Sequence, residues 1–245
     1  GTSNFRAGVN AGNSIQSGGN FNTVLGDEAG TAITTGDDNV AVGYAAGDAM
    51  TTGSYNAIVG KNSGGAITTG VENVSVGWNS LDALTEGGQN VALGASALGS
   101  DTLGSRSVAV GYQALTTQNF TTATDAHNTA VGYKAGEAVT TGANNTIIGA
   151  NTGIALTSGS NNNLIGGLAG DALTTGHSNN IMGVSCGTAL TDADYNVAIG
   201  QQALNSDTLG SQTVAIGSFA LSAQNYTTAT NSLNTAVGYA AGAAI

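Results

Sequence analysis

Asn196-Val197-Ala198-Ile199-Gly200 is one instance of a pattern to which the chain keeps returning: a polar residue, two more residues, an apolar residue, then Gly. The pattern starts at Asn22, Asn39, Asn56, Asn73, Asn90 and Ser107, resumes at Asn128, Asn145, Asn162, Asn179, Asn196 and Thr213, and opens again at Asn234. Successive starts keep a single spacing, that from Asn22 to Asn39, except for two longer steps, from Ser107 to Asn128 and from Thr213 to Asn234. A short fixed period marks a solenoid, in which each repeat is one coil stacked on the last. The expected fold is an all-β parallel solenoid of about 14 coils, a rod roughly 65 Å long at ~4.8 Å per coil.

A larger period lies above the coil. Residues 1–21 read as an irregular first coil, 22–127 as a six-coil block, 128–233 as its duplicate, and 234–245 as the start of a further coil. The block ends match closely: Ser100-Asp101-Thr102-Leu103-Gly104-Ser105 returns as Ser206-Asp207-Thr208-Leu209-Gly210-Ser211. The chain begins at Gly1 without Met and stops at Ile245 in mid-repeat, which reads as a piece of a longer or processed protein.

Composition removes several classes. Only 8% of residues are charged while 40% are apolar, the opposite of a disordered chain. Collagen is excluded, because Pro is absent and Gly does not recur at every third residue. The net charge of −11 leaves no cationic patch for phosphate, so neither nucleic acid nor an anionic membrane surface is expected as a partner. No run approaches the roughly 18 apolar residues of a membrane span. The lone Cys186 has no intrachain disulfide partner and reads as a small buried filler.

Counting the polar residue as the first position, the fourth is always apolar and mostly β-branched, as in Val42, Val76, Ile148 and Ile199. It reads as the buried face of a strand, shared with the second position by alternation along the strand. The fifth position is always Gly, which points to a corner with positive φ or with no room for a side chain. The Asn column fits an amide ladder between coils. The apolar-Thr-Thr-Gly run in the second half of the coil, as in Met50 to Gly53, reads as a short second strand closing on a turn. On this phase the third position points outward, and its apolar stripe marks an oligomer interface: Val24, Ala41, Ile58, Ala92, Ala109, Ala130, Ile147, Leu164, Ile181, Ala198, Ala215 and Ala236. Ser75 breaks that series.

With these residues in hand, Asn196-Val197-Ala198-Ile199-Gly200, Ser107-Val108-Ala109-Val110-Gly111 and Thr213-Val214-Ala215-Ile216-Gly217 resemble the head repeat of YadA-type trimeric autotransporter adhesins. Asn128-Thr129-Ala130-Val131-Gly132-Tyr133-Lys134-Ala135-Gly136 and Gly111-Tyr112-Gln113-Ala114-Leu115 are similar to repeats in bacteriophage tail fibres. The resemblance implies a left-handed parallel β-roll and a homotrimer with the small apolar position at its axis. The YadA-type repeat is shorter than the one found in this chain, so the second half of each coil must differ.

Chemistry-bearing residues are few. The acid pairs Asp27-Glu28 and Asp37-Asp38 fall on turns with no His or Lys partner, and read as solvated charge. His127 and His177 stand apart in register, and the Gly-Gly-x-Gly-x-Asp pattern of calcium-binding rolls is absent, so no metal, cofactor or catalytic group is assigned. Aromatics at the sixth position, Tyr44, Trp78, Tyr112, Tyr133 and Tyr239, either cover a neighbouring chain or stack on sugars. The extra segment of each longer coil makes a surface loop, with Phe120, Thr121, Thr122, Thr124 and Tyr226, Thr227, Thr228, Thr230 as candidate contacts to a glycan or protein receptor. A Thr column at the thirteenth position, from Thr34 to Thr208, raises ice binding as a minor reading.

The function expected is therefore non-enzymatic: a structural and adhesive segment of an extracellular fibre, on a virion or a cell surface. A bacteriophage tail fibre displaying host-receptor contacts heads the readings. A bacterial adhesin head and the protomer of a filament associating end to end are the alternatives.

Overall fold

The computed structural model describes residues 2–244. Its contacts divide the chain into two compact units, Gly1–Ala126 and His127–Ile245. The first holds β1 (Phe5–Ala7), β2 (Thr23–Leu25), β3 (Val40–Val42), β4 (Ala57–Val59), β5 (Val74–Val76), β6 (Val91–Leu93), β7 (Gly104–Ser105), β8 (Val108–Val110) and β9 (Thr124–Asp125). The second holds β10 (Thr129–Val131), β11 (Thr146–Ile148), β12 (Asn163–Ile165), β13 (Asn180–Met182), β14 (Val197–Ile199), β15 (Gly210–Ser211), β16 (Val214–Ile216), β17 (Thr230–Asn231) and β18 (Thr235–Val237). One short strand per coil pairs in parallel with the same strand of the next, seven strands to a unit. Register is coil on coil, with Ala41 opposite Ile58 and Ile181 opposite Ala198. The chain is a β-solenoid of about 14 coils, each one sequence repeat long.

The strands run outward, inward, outward over positions two, three and four. That corrects the phase expected from side-chain size. Val24, Ala41, Ile58, Ala92, Ala109, Ala130, Ile147, Leu164, Ile181, Ala198 and Ala215 are all 0% exposed inside their own chain, and Ala236 of the last coil is half-buried. None of the eleven fully buried side chains can be an oligomer interface. The bulky residues at position four are instead on the outside, where β-branching suits the pleated surface without requiring burial.

The interior is narrow enough for opposite walls to compensate each other. Where position three is large, position nine is Gly, as in Ile58/Gly64, Leu164/Gly170 and Ile181/Gly187. A Cβ on Gly64 would lie 3.2 Å from Ile58 Cδ1, and one on Gly187 3.2 Å from Ile181 Cδ1. Where position three is Ala or Ser, position nine can be Leu: Leu81, Leu98, Leu115, Leu204 and Leu221 follow Ser75, Ala92, Ala109, Ala198 and Ala215. All five leucines are buried, at φ of 47–51°. Position nine is left-handed with either residue, so Leu enters only where volume is free; Ala41 and Ala130 keep Gly47 and Gly136, and a Cβ on Gly47 would already meet Met50 Cε at 3.4 Å.

Polar ladders hold the coils in line. Asn39 Oδ1 accepts the backbone N–H of Asn56 (3.0 Å), while its Nδ2 donates across its own coil to the Gly53 carbonyl (2.9 Å). The geometry repeats along the column to Asn196, so one end of each amide binds the next coil and the other end closes its own. The fifth-position glycines have φ near 130°, and a Cβ on Gly43 would sit 2.5 Å from the Gly60 carbonyl oxygen. Both reasons expected for that glycine hold at once.

No strand forms over the apolar-Thr-Thr-Gly run. Its ladder is one bond deep: the Thr51 carbonyl accepts the N–H of Thr34 (2.9 Å) and that of Gly36 (3.3 Å), because the chain turns at once into the Gly corner. The shortest strands occur only beside the longer coils, where β7 pairs with β9 and β15 with β17.

Candidate binding surfaces

The outer face of each sheet is built from positions two and four. Leu25, Val59, Val76 and Leu93 in the first unit, and Ile148, Met182 and Ile199 in the second, are 36–44% exposed. No charged residue occupies either position in any coil from Asn22 onward, in a chain of net charge −11. Position four is apolar in every coil, while position two also carries Thr and Asn, as at Thr146, Asn163 and Asn180, so the face is an uncharged ribbon with an apolar column along position four.

The sixth position follows the Gly corner. In the first unit it carries Tyr44, Lys61, Trp78, Ala95 and Tyr112 in successive coils. The ladder continues through it, since the Tyr44 carbonyl accepts the N–H of Asn62 (3.0 Å) and the Trp78 carbonyl that of Ser96 (2.9 Å). The three aromatics therefore stand in one column, two coils apart, at 54%, 54% and 46% exposure. The Lys61 ammonium leans over the Tyr44 ring, 5.8 Å from its centroid. Tyr133 and Tyr239 of the second unit are also exposed, but the coils between them carry no aromatic at this position.

Beside Tyr44 lies a groove of about 540 Å³, lined by Glu28, Tyr44, Ala45, Asp48, Asn62, Gly65, Ala66 and Asp82. Its floor is open because position ten of the middle coil is Gly. A Cβ on Gly65 would meet Asp82 Oδ1 at 3.1 Å and Asp48 Oδ1 at 3.6 Å. Partial burial raises the Asp48 and Asp82 carboxyls above the usual range, and the charge of Glu28 pushes Asp48 the same way. This acidic groove escaped sequence reasoning, which paired acids by adjacency; Asp48 and Asp82 lie two full coils apart along the chain and meet only through coil stacking.

The longer coils hold a correction. Phe120 is only 7% exposed, and its carbonyl accepts the Leu103 N–H (3.0 Å), so it belongs to the core rather than to a receptor surface. Thr121 and Thr122 are exposed, while Thr124 is half-buried in β9. In the second unit Thr227 and Thr228 are exposed, and Tyr226 and Thr230 are half-buried. Asn234 Nδ2 donates to the Tyr226 hydroxyl (3.3 Å).

Beneath each of these coils is a buried polar plug that the sequence reading missed. Asp101 Oδ1 accepts the N–H groups of Gly104 and Phe120, both at 3.0 Å, and its Oδ2 accepts from Gln118 Nε2. Asp207 repeats this with Gly210, Tyr226 and Gln224. Both plugs replace an apolar residue at position twelve, which is the signal that could have found them. A second buried cluster explains the anomalous Ser75: its hydroxyl lies inside, 2.8 Å from Ser63 Oγ and 2.7 Å from Ser80 Oγ.

Other candidates have local duties. Each Thr hydroxyl of the thirteenth column donates to the next coil, as Thr34 does to the Thr51 carbonyl (3.1 Å), which is the work of a β-ladder. Asp27 and Asp37 accept backbone N–H groups of the preceding coil, from Val9 and Asn20. His177 Nδ1 accepts the Ser160 N–H (3.0 Å). Cys186 is fully buried, and desolvation pushes its thiol up to about 12. Among the described residues no three His, Cys, Asp or Glu side chains are grouped to hold a metal. No family model, curated protein or solved structure matches the chain.

Proposed function

We propose that the chain is a rigid structural and adhesive segment of an extracellular fibre, assembled from parallel copies of itself through the outer faces of its sheets. The supporting observation is the uncharged ribbon of positions two and four, unbroken through the coils of both units. Each coil adds a few tens of Å² to it, so a long segment approaches the ~800 Å² per partner of a stable interface, where a short one would not. The axis residues are thereby reassigned, from the third position to Val59, Val76, Leu93, Ile148 and Ile199. Three copies is the number the family resemblance implies, and the Gly-Tyr-x-Ala variants around Tyr112 and Tyr133 favour a bacteriophage tail fibre over an adhesin head.

Light scattering on the purified chain tests this directly, with imaging of the same sample. A discrete trimer is expected. Val76→Lys with Leu93→Lys, both on exposed positions, should return it to a folded monomer that melts cooperatively, below the trimer and at a temperature independent of concentration. A wild-type chain that stays monomeric at high concentration defeats the proposal.

A further inference from the structure

The column Tyr44, Trp78, Tyr112 has a spacing dictated by the fold. Coils stack at ~4.8 Å, so aromatics in alternate coils recur every ~9.6 Å along the column. Few ligands present a flat apolar surface at such a repeat. A β-1,4-linked pyranose chain does: it is a ribbon with two-fold screw symmetry, so every second sugar turns the same face the same way, at very nearly this repeat. Its axial C–H groups suit the electron-rich face of an aromatic ring, and its equatorial hydroxyls project sideways toward acceptors. The groove beside Tyr44 supplies those acceptors in Asp48, Asp82 and Asn62, over the open floor at Gly65.

We propose that this face of the first unit binds a neutral β-1,4-linked glycan, stacked along Tyr44, Trp78 and Tyr112 with hydroxyls donated to the carboxylates of the groove. The acidic lining selects against polyuronates and other anionic sugars, since like charges oppose one another across the contact. Lys61 swings off the Tyr44 ring to admit the sugar; it is exposed, and a surface contact of that kind is weak. The second unit has no such column and no such groove lining, so binding belongs to the first unit alone. The inference deepens the fibre reading by naming its ligand, and needs from it only that the column remain open to solvent.

Trp78 is the sole Trp of the chain, so its emission reports on the middle of the site. The full chain is titrated with cellohexaose and chitohexaose, with maltohexaose as the α-linked control and β-1,4-linked polymannuronate as the charged one. At least one neutral β-1,4 hexamer should shift the Trp78 emission, while maltohexaose leaves it unchanged and polymannuronate binds at least tenfold more weakly. By calorimetry, Tyr44→Ala or Tyr112→Ala should weaken binding roughly tenfold, as loss of one stacking platform does, and Tyr195→Ala in the second unit should not. These side chains are exposed, so a melting curve matching wild type confirms the variants are folded. No response to either β-1,4 hexamer overturns the proposal, as does equal binding of maltohexaose or an affinity indifferent to both Tyr variants. Scattering on the same samples separates the two readings. A monomer that binds the hexamer supports the glycan site and removes the fibre, and an oligomer that ignores it does the reverse.

Discussion

The first unit carries Tyr44, Trp78 and Tyr112 at the sixth position, where the second carries Ala150, Gly167, Val184, Gln201 and Ser218 between Tyr133 and Tyr239. At position ten, the Asp48-Gly65-Asp82 series of the first unit corresponds in sequence to Ile154, Asp171 and Thr188 of the second. Inside, the same two units keep one plan. Asn columns of equal length end at Ser107 and Thr213, Gly corners never vary, and Asp101–Gln118 returns as Asp207–Gln224. The difference shows where freedom lies in a solenoid. An interior side chain touches its own coil and those above and below, so a change there must suit several neighbours. A sixth-position side chain projects from a corner into water and can diverge alone.

The shared plan can be broken at three levels. The largest effect belongs to the Gly corner. Gly43→Ala and Gly200→Ala should each cost more than about 3 kcal/mol in denaturant unfolding, because the new Cβ meets the next coil's backbone at positive φ. Equal loss in both units is expected, whereas Gly238→Ala, with nothing nearer than 3.9 Å, should be milder. A corner tolerating Ala would contradict the close approach.

Next comes the exchange of volume across the coil. Ile58→Ala should cost roughly 2–5 kcal/mol, and adding Gly64→Leu should recover part of it, with a coupling of about 1 kcal/mol or more in the double-mutant cycle. The pair would then copy Ala92/Leu98 of the same unit. Additive losses would show that position nine is not set by position three.

The smallest effect is read by pH and appears in both units. Asp48 and Asp82 hold their protons more tightly when folded than their ordinary carboxyl value. Their contribution is therefore fully present below the unfolded value of 3.8, and is lost as pH rises through the raised folded values. Asp48→Asn and Asp82→Asn should raise the melting temperature at pH 7 and leave it unchanged at pH 3. Asp171→Asn should act alike, since burial raises that carboxyl also. It should not touch glycan affinity, which the first two should weaken.

How much of this was legible follows from how each feature is encoded. Gly43 and Asn56 belong to columns that hardly vary, and a column that does not vary names its own role. The inside and the outside of the strand were not legible from size. Ala109 looks too small for a core and Val110 too apolar for a surface, yet Leu115 fills the space opposite Ala109 and leaves Val110 outside. The signal was present as covariation between positions three and nine, which is a property of pairs. Ser63, Ser75 and Ser80 were likewise visible together as departures at positions that meet in space. The Asp48–Asp82 groove was the least legible, because its character depends on a glycine between them having no side chain.

The Asp101–Gln118 plug bears on how such a chain finds its fold at all. Thirteen near-identical coils offer many ways to stack out of step, each almost as good as the native one by apolar contact alone. A nascent chain that skipped the next coil would set the Asp101 carboxylate against an apolar residue of the position-twelve column such as Val139, with two of its three donors, the Phe120 N–H and the Gln118 amide, left behind. A stranded buried carboxylate costs several kcal/mol, far more than a misplaced Ile. One plug in each unit thus works as an address, telling otherwise interchangeable coils which is sixth.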